Sequence, residues 1–175
     1  MPKPIYGING SGMHNHQSIF DTKGNNLFFD ANDEFHLSEL AYSFIGGELQ
    51  HARALAALVA PSVNSYKRLV PGYEAPVYVG WAQRNRSALI RIPRYNKGQD
   101  KSMRAELRFP DPSCNPYIAF TGMIAAALDG IDNKIKPPKP LNNINIYHLS
   151  EDERKAKDIK ELPSSLLEAL QELDK

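Results

Sequence analysis

The apolar positions change their period along the chain. From Ile5 to Phe29 they sit singly among glycines and polar residues, which predicts extended structure broken by turns, with a hairpin turn at Lys23-Gly24-Asn25-Asn26 before Leu27-Phe28-Phe29. The period then becomes helical. Leu40, Ala41, Phe44, Ile45, Ala52, Leu55, Ala56 and Val59 form one apolar face behind Ser38, whose hydroxyl can cap the first turn, so the pattern predicts a helix from Ser38 to about Val59. Gly46-Gly47 weakens its middle, and Pro61 ends it. Beyond the turn-rich Val70-Pro71-Gly72, strands are predicted at 77–84, 88–93 and 103–109. A second helix starts at Asn115, with Asn as cap and Pro116 in the first turn, and stops near Gly130. Pro137-Pro138-Lys139-Pro140 reads as an extended connector. A last amphipathic helix runs from about Ser164 to Leu173, with Leu166, Leu167, Leu170 and Leu173 on one side. Trp81, Tyr78 and Tyr117 read as core. Strands forming a sheet with helices on one face make the class α+β or mixed α/β.

Composition narrows the class further. With 175 residues, 42% of them hydrophobic, the chain is long and apolar enough for one compact unit and too apolar for a disordered one. There is no apolar run of the roughly 18 residues a membrane span needs, and Met1-Pro2-Lys3-Pro4 lacks the apolar stretch of a secretory signal; the expectation is a soluble cytoplasmic protein with no membrane partner. A single cysteine, Cys114, excludes an internal disulfide framework. A net charge of +1 argues against a nucleic-acid partner bound through phosphate neutralisation. The charge is nevertheless uneven. Arg84, Arg86, Arg91, Arg94, Lys97, Lys101, Arg104 and Arg108 face only Asp100 and Glu106 in their segment, which suits an anionic small molecule or a solvated basic strand face.

Three motifs carry possible chemistry. In Asn9-Gly10-Ser11-Gly12-Met13-His14-Asn15-His16-Gln17-Ser18 the glycines let backbone approach a ligand, and His14, His16 and Ser18, two apart, share one face of a strand. The alternative is a polar hairpin with surface histidines. In Met103-Arg104-Ala105-Glu106-Leu107-Arg108-Phe109 the alternation turns Arg104, Glu106 and Arg108 to one face and Ala105, Leu107 and Phe109 to the core. Those three charges form either an ion-pair ladder or a carboxylate ligand for Mg²⁺ or Mn²⁺ flanked by anion-clamping arginines. The third motif, Asn64-Ser65-Tyr66-Lys67-Arg68-Leu69-Val70-Pro71-Gly72-Tyr73-Glu74-Ala75-Pro76, is a restrained loop. Glu74 there is either a surface charge or a group that closes over substrate and accepts a proton. Glu151, Asp152 and Glu153 read as a solvated face.

Together with Arg84-Asn85-Arg86-Ser87 and Ile90-Arg91-Ile92-Pro93, these strings in this order resemble type I glutamine synthetase, most closely from Met1 to Asn133. The resemblance implies a mainly antiparallel sheet, part of the family's catalytic barrel, with helices packed on its outer face. It divides the chain into 1–135, the C-terminal part of the catalytic domain, and 136–175, a proline-rich connector and helical tail. It implies ATP-dependent ligation of L-glutamate and ammonia through γ-glutamyl phosphate, with Mg²⁺ or Mn²⁺ as cofactor, in a homo-oligomer of stacked rings. By the same resemblance His14 and Glu106 are metal ligands, and His16, Gln17, Ser18, Arg86, Arg91 and Lys101 contact ATP. Asn9, Gly10, Arg68, Glu74, Arg86 and Arg108 belong to the glutamate site, with Glu74 and Arg86 catalytic. Tyr147 aligns with a tyrosine adenylylated in some members, within a different surrounding sequence. The family's N-terminal domain and a strand region with further metal-binding glutamates have no counterpart here, and Met1-Pro2-Lys3-Pro4 resembles an interior stretch. The chain is therefore expected to be a truncated catalytic segment without synthetase activity on its own. The other readings are a γ-glutamyl ligase that accepts an amine and a non-catalytic module that assembles with intact subunits.

Overall fold

The computed structural model describes residues 1–85, 87–142, 149–156 and 159–175. Four short strands, β1 (Asn15–Gln17), β2 (Trp81–Gln83), β3 (Ile90–Ile92) and β4 (Ala105–Leu107), form a sheet in the order β1-β4-β3-β2. β4 runs antiparallel to both neighbours, and β2 and β3 are parallel. Helices α1 (Glu39–Gln50), α2 (Ala52–Val59), α3 (Ser65–Arg68), α4 (Pro116–Asp132), α5 (Glu151–Ala156) and α6 (Leu166–Leu173) complete the α+β fold. β2, β3 and β4 each lie within one of the longer predicted runs. Of the extended stretch predicted from Ile5 to Phe29, only β1 pairs as a strand, while the Phe20↔Asn26 bridge and Gly24 at φ +80° close the expected hairpin turn.

One face of the sheet supplies the core. Ile90, Ile92, Ala105, Leu107 and Phe109 are fully buried in a cluster with Phe44, Ile45, Leu49 and Met123 from α1 and α4. The Trp81 ring meets Tyr42 and Phe35 edge-on at 5.8 and 5.5 Å. This is the packing that the alternation of Ala105, Leu107 and Phe109 predicts.

Ser38 caps α1 as expected: its Oγ accepts from Ala41 N at 3.1 Å and donates to Leu27 O at 2.6 Å. Ser38→Ala is expected to cost about 1.5 kcal/mol, since it removes both the cap and the tie to the preceding loop. Thermal denaturation should show a fall of about 3–6 °C in Tm. The predicted single helix is in fact two, because His51 at φ −93°, ψ 3° interrupts it and turns its ring to Asp129 of α4 at 2.8 Å. Gly46-Gly47 is no weak point. A Cβ on Gly47 would run into Ala126 O and lie 2.7 Å from Gly130 Cα, so Gly47 lets α1 and α4 cross backbone to backbone, while Gly46 packs on Ile135 O just beyond α4.

The second helix starts as read, with Asn115 Oδ1 accepting from Tyr117 N at 3.0 Å. Tyr117, however, is 83% exposed; with Phe120, Ile124 and Leu128 it lines the outward side of α4. The tail joins the body: Val79 N donates to Lys160 O and Leu162 N to Val77 O. Leu141 and Ile159 enter a second apolar cluster with Val77, Tyr78, Ala82 and Ala88. Arg53 of α2 holds α6 through Glu168 and Glu172 at 2.6 and 3.0 Å. Ser165 caps α6; of the predicted leucine side Leu166 packs against the core, whereas Leu167, Leu170 and Leu173 are exposed, and Ala169 is buried. A small residue permits that close approach to α2, which the leucines would prevent. Glu151, Asp152 and Glu153 open the exposed helix α5.

Candidate active site

The sheet register assembles the charged motif. Residues directly opposite on neighbouring strands point to one face, and Glu106 pairs with His16 on β1 and Arg91 on β3. His16, Glu106 and Arg91 therefore form a row across the sheet, on the face opposite the helices. The side chains two residues away, His14 on one strand and Arg108 on the other, stand beside them. His14 Nδ1 lies 3.2 Å from Glu106 Oε1, Arg108 Nη1 donates to the same oxygen at 3.0 Å, and Arg91 Nε lies 2.5 Å from Oε2. Glu106 and Arg108 are both buried. A buried carboxylate is tolerable here because cations surround it. Arg104 takes another course: its Nε donates to His16 Nδ1 at 3.0 Å.

Beside this row the three motifs meet at one cavity of about 140 Å³. Asn9, Gly10, Gly12, His14, Arg68, Tyr73, Glu74, Ala75 and Arg108 line it. The turn α3 delivers Arg68, whose Nη1 donates to Phe109 O at 2.8 Å and Nη2 to Arg108 O at 3.1 Å. Gly12 is needed for this approach, since a Cβ there would collide with Arg68 Nη2 and sit 3.0 Å from His14 Nε2. Burial pushes the Arg68 guanidinium down to about 10, opposed by Asp111 and aided by Arg108. Burial, then the Arg108 charge, hold His14 below its ordinary value against the opposing pull of Glu106. A neutral imidazole is thus available as a lone-pair donor.

The structure brings together Asn9, Gly10, His14, Arg68, Glu74 and Arg108 around the cavity, and His16, Arg91 and Glu106 in the adjoining row. Glu74 is exposed at the rim. His16 and Ser18 face outward from the site side of β1, as their spacing predicts. Lys101 is exposed on a 3₁₀ turn, Asp100–Ser102, held by Asn26 Nδ2 donating to Lys101 O and Met103 O. Gln17 departs from the expected set. Strand alternation turns its side chain to the helix face, where Nε2 donates to Glu48 Oε1 at 2.7 Å, so it has no side chain to offer a nucleotide beside His16 and Ser18. Arg86 and Tyr147 lie outside the described residues.

Sequence reading missed two members of this neighbourhood. Nothing in the pattern pairs Arg104 with His16, a contact created by register alone. Glu48 had a signal, since it falls four residues after Phe44 and four before Ala52, inside the apolar stripe. A larger depression of about 580 Å³ lies between α1, α2 and the tail, remote from the motifs, and His51, Arg53 and Lys175 on its wall are already paired with carboxylates.

His14 and Glu106 do not make a divalent-cation site by themselves. Mg²⁺ or Mn²⁺ takes about six hard ligands. Among the described residues no group of three or more His, Cys, Asp or Glu side chains gathers as a metal cage, and two guanidiniums already occupy Glu106.

Comparison with known proteins gives the family to which these residues belong. The family description "Glutamine synthetase, catalytic domain" matches residues 1–175. The chain belongs to the glutamine synthetase family. It is 56% identical over 176 residues to the glutamine synthetase of Thermotoga maritima and 55% identical over 175 residues to that of Sulfolobus acidocaldarius, covering 100% and 99% of this chain. Those alignments span only 39% and 37% of the two relatives, so the chain corresponds to well under half of either glutamine synthetase. A solved structure described as "Apo GmaS without ligand" superposes at a TM-score of 0.80 with 35% identity, covering 99% of this chain and 38% of the other. The α+β glutamine synthetase fold, with its mostly antiparallel sheet, is thus present in this segment. Among the described residues no helix is long and apolar enough to cross a membrane.

Proposed function

We propose that this chain carries part of the active site of an ATP-dependent glutamate–ammonia ligase. The observation that carries the reading is the shared cavity lined by Asn9, Gly10, Arg68, Glu74 and Arg108 from three separated motifs, with His14 at its wall. Relatives more than 50% identical that bear the name glutamine synthetase favour ammonia over an amine as acceptor. In this reading Arg68 and Arg108 hold the carboxylates of L-glutamate. A γ-carboxylate oxygen attacks the γ-phosphorus of ATP, and ADP leaves. Ammonia nitrogen then attacks the resulting acyl phosphate carbon, the carbon–oxygen bond breaks and phosphate departs. Glu74, exposed at the rim, accepts the proton that ammonium must lose. His16, Ser18, Arg91, Arg86 and Lys101 face the nucleotide, and the cationic row offsets charge developing on the transferred phosphoryl group. His14 and Glu106 supply two donors toward Mg²⁺ or Mn²⁺, a cation that would neutralise phosphate charge, with further donors required from outside the described residues. A homo-oligomer in the cytoplasm belongs to the same reading.

The test is a titration of the ¹⁵N-labelled chain with L-glutamate. The Asn9, Gly10 and Gly12 amides should shift at millimolar ligand, while those of α6 stay in place. Absence of any shift at the cavity would defeat the assignment. The chain by itself is expected to form no glutamine from glutamate, ammonia and MgATP; turnover by the purified chain would contradict the part-site reading.

A further inference from the structure

The strand that carries His16, with His14 and Ser18 immediately at its two ends, is an edge strand of three residues, hydrogen-bonded to β4 on one side only. An element so short, with one neighbour, is held weakly by its own ladder. Its inward-facing side chains decide where it lies. Asn15 donates locally to Met13 O at 2.8 Å, while Gln17 reaches across to Glu48 of α1 at 2.7 Å. Among the described residues this is the side-chain hydrogen bond that ties β1 to the helix layer. Its acceptor is unusual: Glu48 is 0% exposed, and its second oxygen, Oε2, is buried with no partner among the described residues. A carboxyl group costs more to bury than an apolar side chain of similar size, so packing alone does not account for it.

We propose that Glu48 is a positioning residue for the candidate active site, fixing through Gln17 the place of β1 and hence of His14 and His16 relative to Glu106 and Arg104. This rests on the reading of that sheet face as the ligand-binding face. The geometry is direct. Gln17 lies between His16 and Ser18, and alternation sends its side chain inward as theirs go outward. A shift of β1 away from α1 therefore moves both site residues together. The Arg104–His16 bond crosses from β4 to β1, so it reports any such shift without a ligand.

The experiment compares the full chain with Glu48→Gln, which keeps an acceptor oxygen for Gln17, and with the double variant Gln17→Leu/Glu48→Leu. The latter removes both polar partners and so avoids stranding a buried donor, which protects the fold. Two readouts are taken without ligand: amide hydrogen exchange across β1 and the ring ¹⁵N shifts of His16. In the double variant, exchange at β1 should quicken by about tenfold or more relative to α1, and the His16 Nδ1 signal should move as the Arg104 bond loosens. Glu48→Gln should restore both toward the parent. A double variant with unchanged β1 exchange and an unchanged His16 signal overturns the proposal, as does a Glu48→Gln variant as perturbed as the double one. A merely stabilising role would lower Tm and leave the His16 signal in place. Because neither readout involves glutamate or ATP, failure here is separable from failure of the proposed ligase function.

Discussion

Replacing Glu48 by glutamine is expected to make the chain more stable above pH 8 and less stable below pH 4.5. Burial pushes this carboxyl from its ordinary 4.5 up to about 8, with the Gln17 bond pulling the other way. Between those two values the folded chain keeps a proton that the unfolded chain has released. Stability therefore falls as pH rises, by about 1.4 kcal/mol per pH unit while the window lasts, and levels off above about 8. The accumulated cost is about 5 kcal/mol at the upper end. Glutamine carries no such cost but replaces the single unpartnered O–H of the protonated carboxyl by the two N–H groups of an amide, worth about 1–3 kcal/mol against it. The variant should thus gain about 2–4 kcal/mol at pH 8.5 and lose about 1–3 at pH 4. Urea denaturation of both proteins across this range checks it, and taking the difference cancels the opposing contributions of carboxylates with depressed values such as Asp21 and Asp129. A difference that stays flat with pH would mean that Glu48 is ionised inside the fold.

Gly47→Ala is expected to destabilise the chain by about 2–4 kcal/mol, against the direction given by helix propensity. In an exposed helix the same change would gain about 1 kcal/mol. Here the new carbon would meet Gly130 Cα at 2.7 Å and Gly130 N at 2.8 Å, as well as Ala126 O, all of them backbone atoms that no rotamer change can move. The two helices must separate, opening the packing around Phe44, Ile45 and Met123. Gly122→Ala provides the comparison, since its nearest neighbours are the flexible ends of Leu58 and Leu55, and it should stay within about 1 kcal/mol of the parent. Thermal denaturation should separate the two by about 5–12 °C. Equal effects would show that α1 and α4 yield easily at their crossing.

These cases show which parts of the molecule could be read from the sequence. Capping by Ser38 and Asn115 and the alternation around Glu106 are local properties of the chain, and they appear where the residues put them. Spacing alone also assigned His14, His16 and Ser18 to a common face. The misreadings are tertiary in origin. Gly46-Gly47 has poor propensity wherever it occurs, and only packing against α4 and against Ile135 beyond it turns the pair into a contact. The Leu166–Leu173 stripe is amphipathic by itself, yet only its Leu166 packs inward, and Ala169 is the residue that is fully buried. Gln17 was grouped with its neighbours by motif, whereas the pleat sends it to the opposite side. The cavity could be anticipated only through resemblance, because nothing local says that residues 9, 68 and 108 meet.

The pairing of β1 with β4 also has a consequence in time. Asn15 and Leu107 are partners separated by roughly ninety residues of chain. A ribosome adding about 5–20 residues each second leaves the nascent His14 without Glu106 for some 5–18 s, while α1 and α2 have already emerged. The cavity beside β1 and β4 is therefore a late product of synthesis, closed only once β4 has followed β1 out of the ribosome.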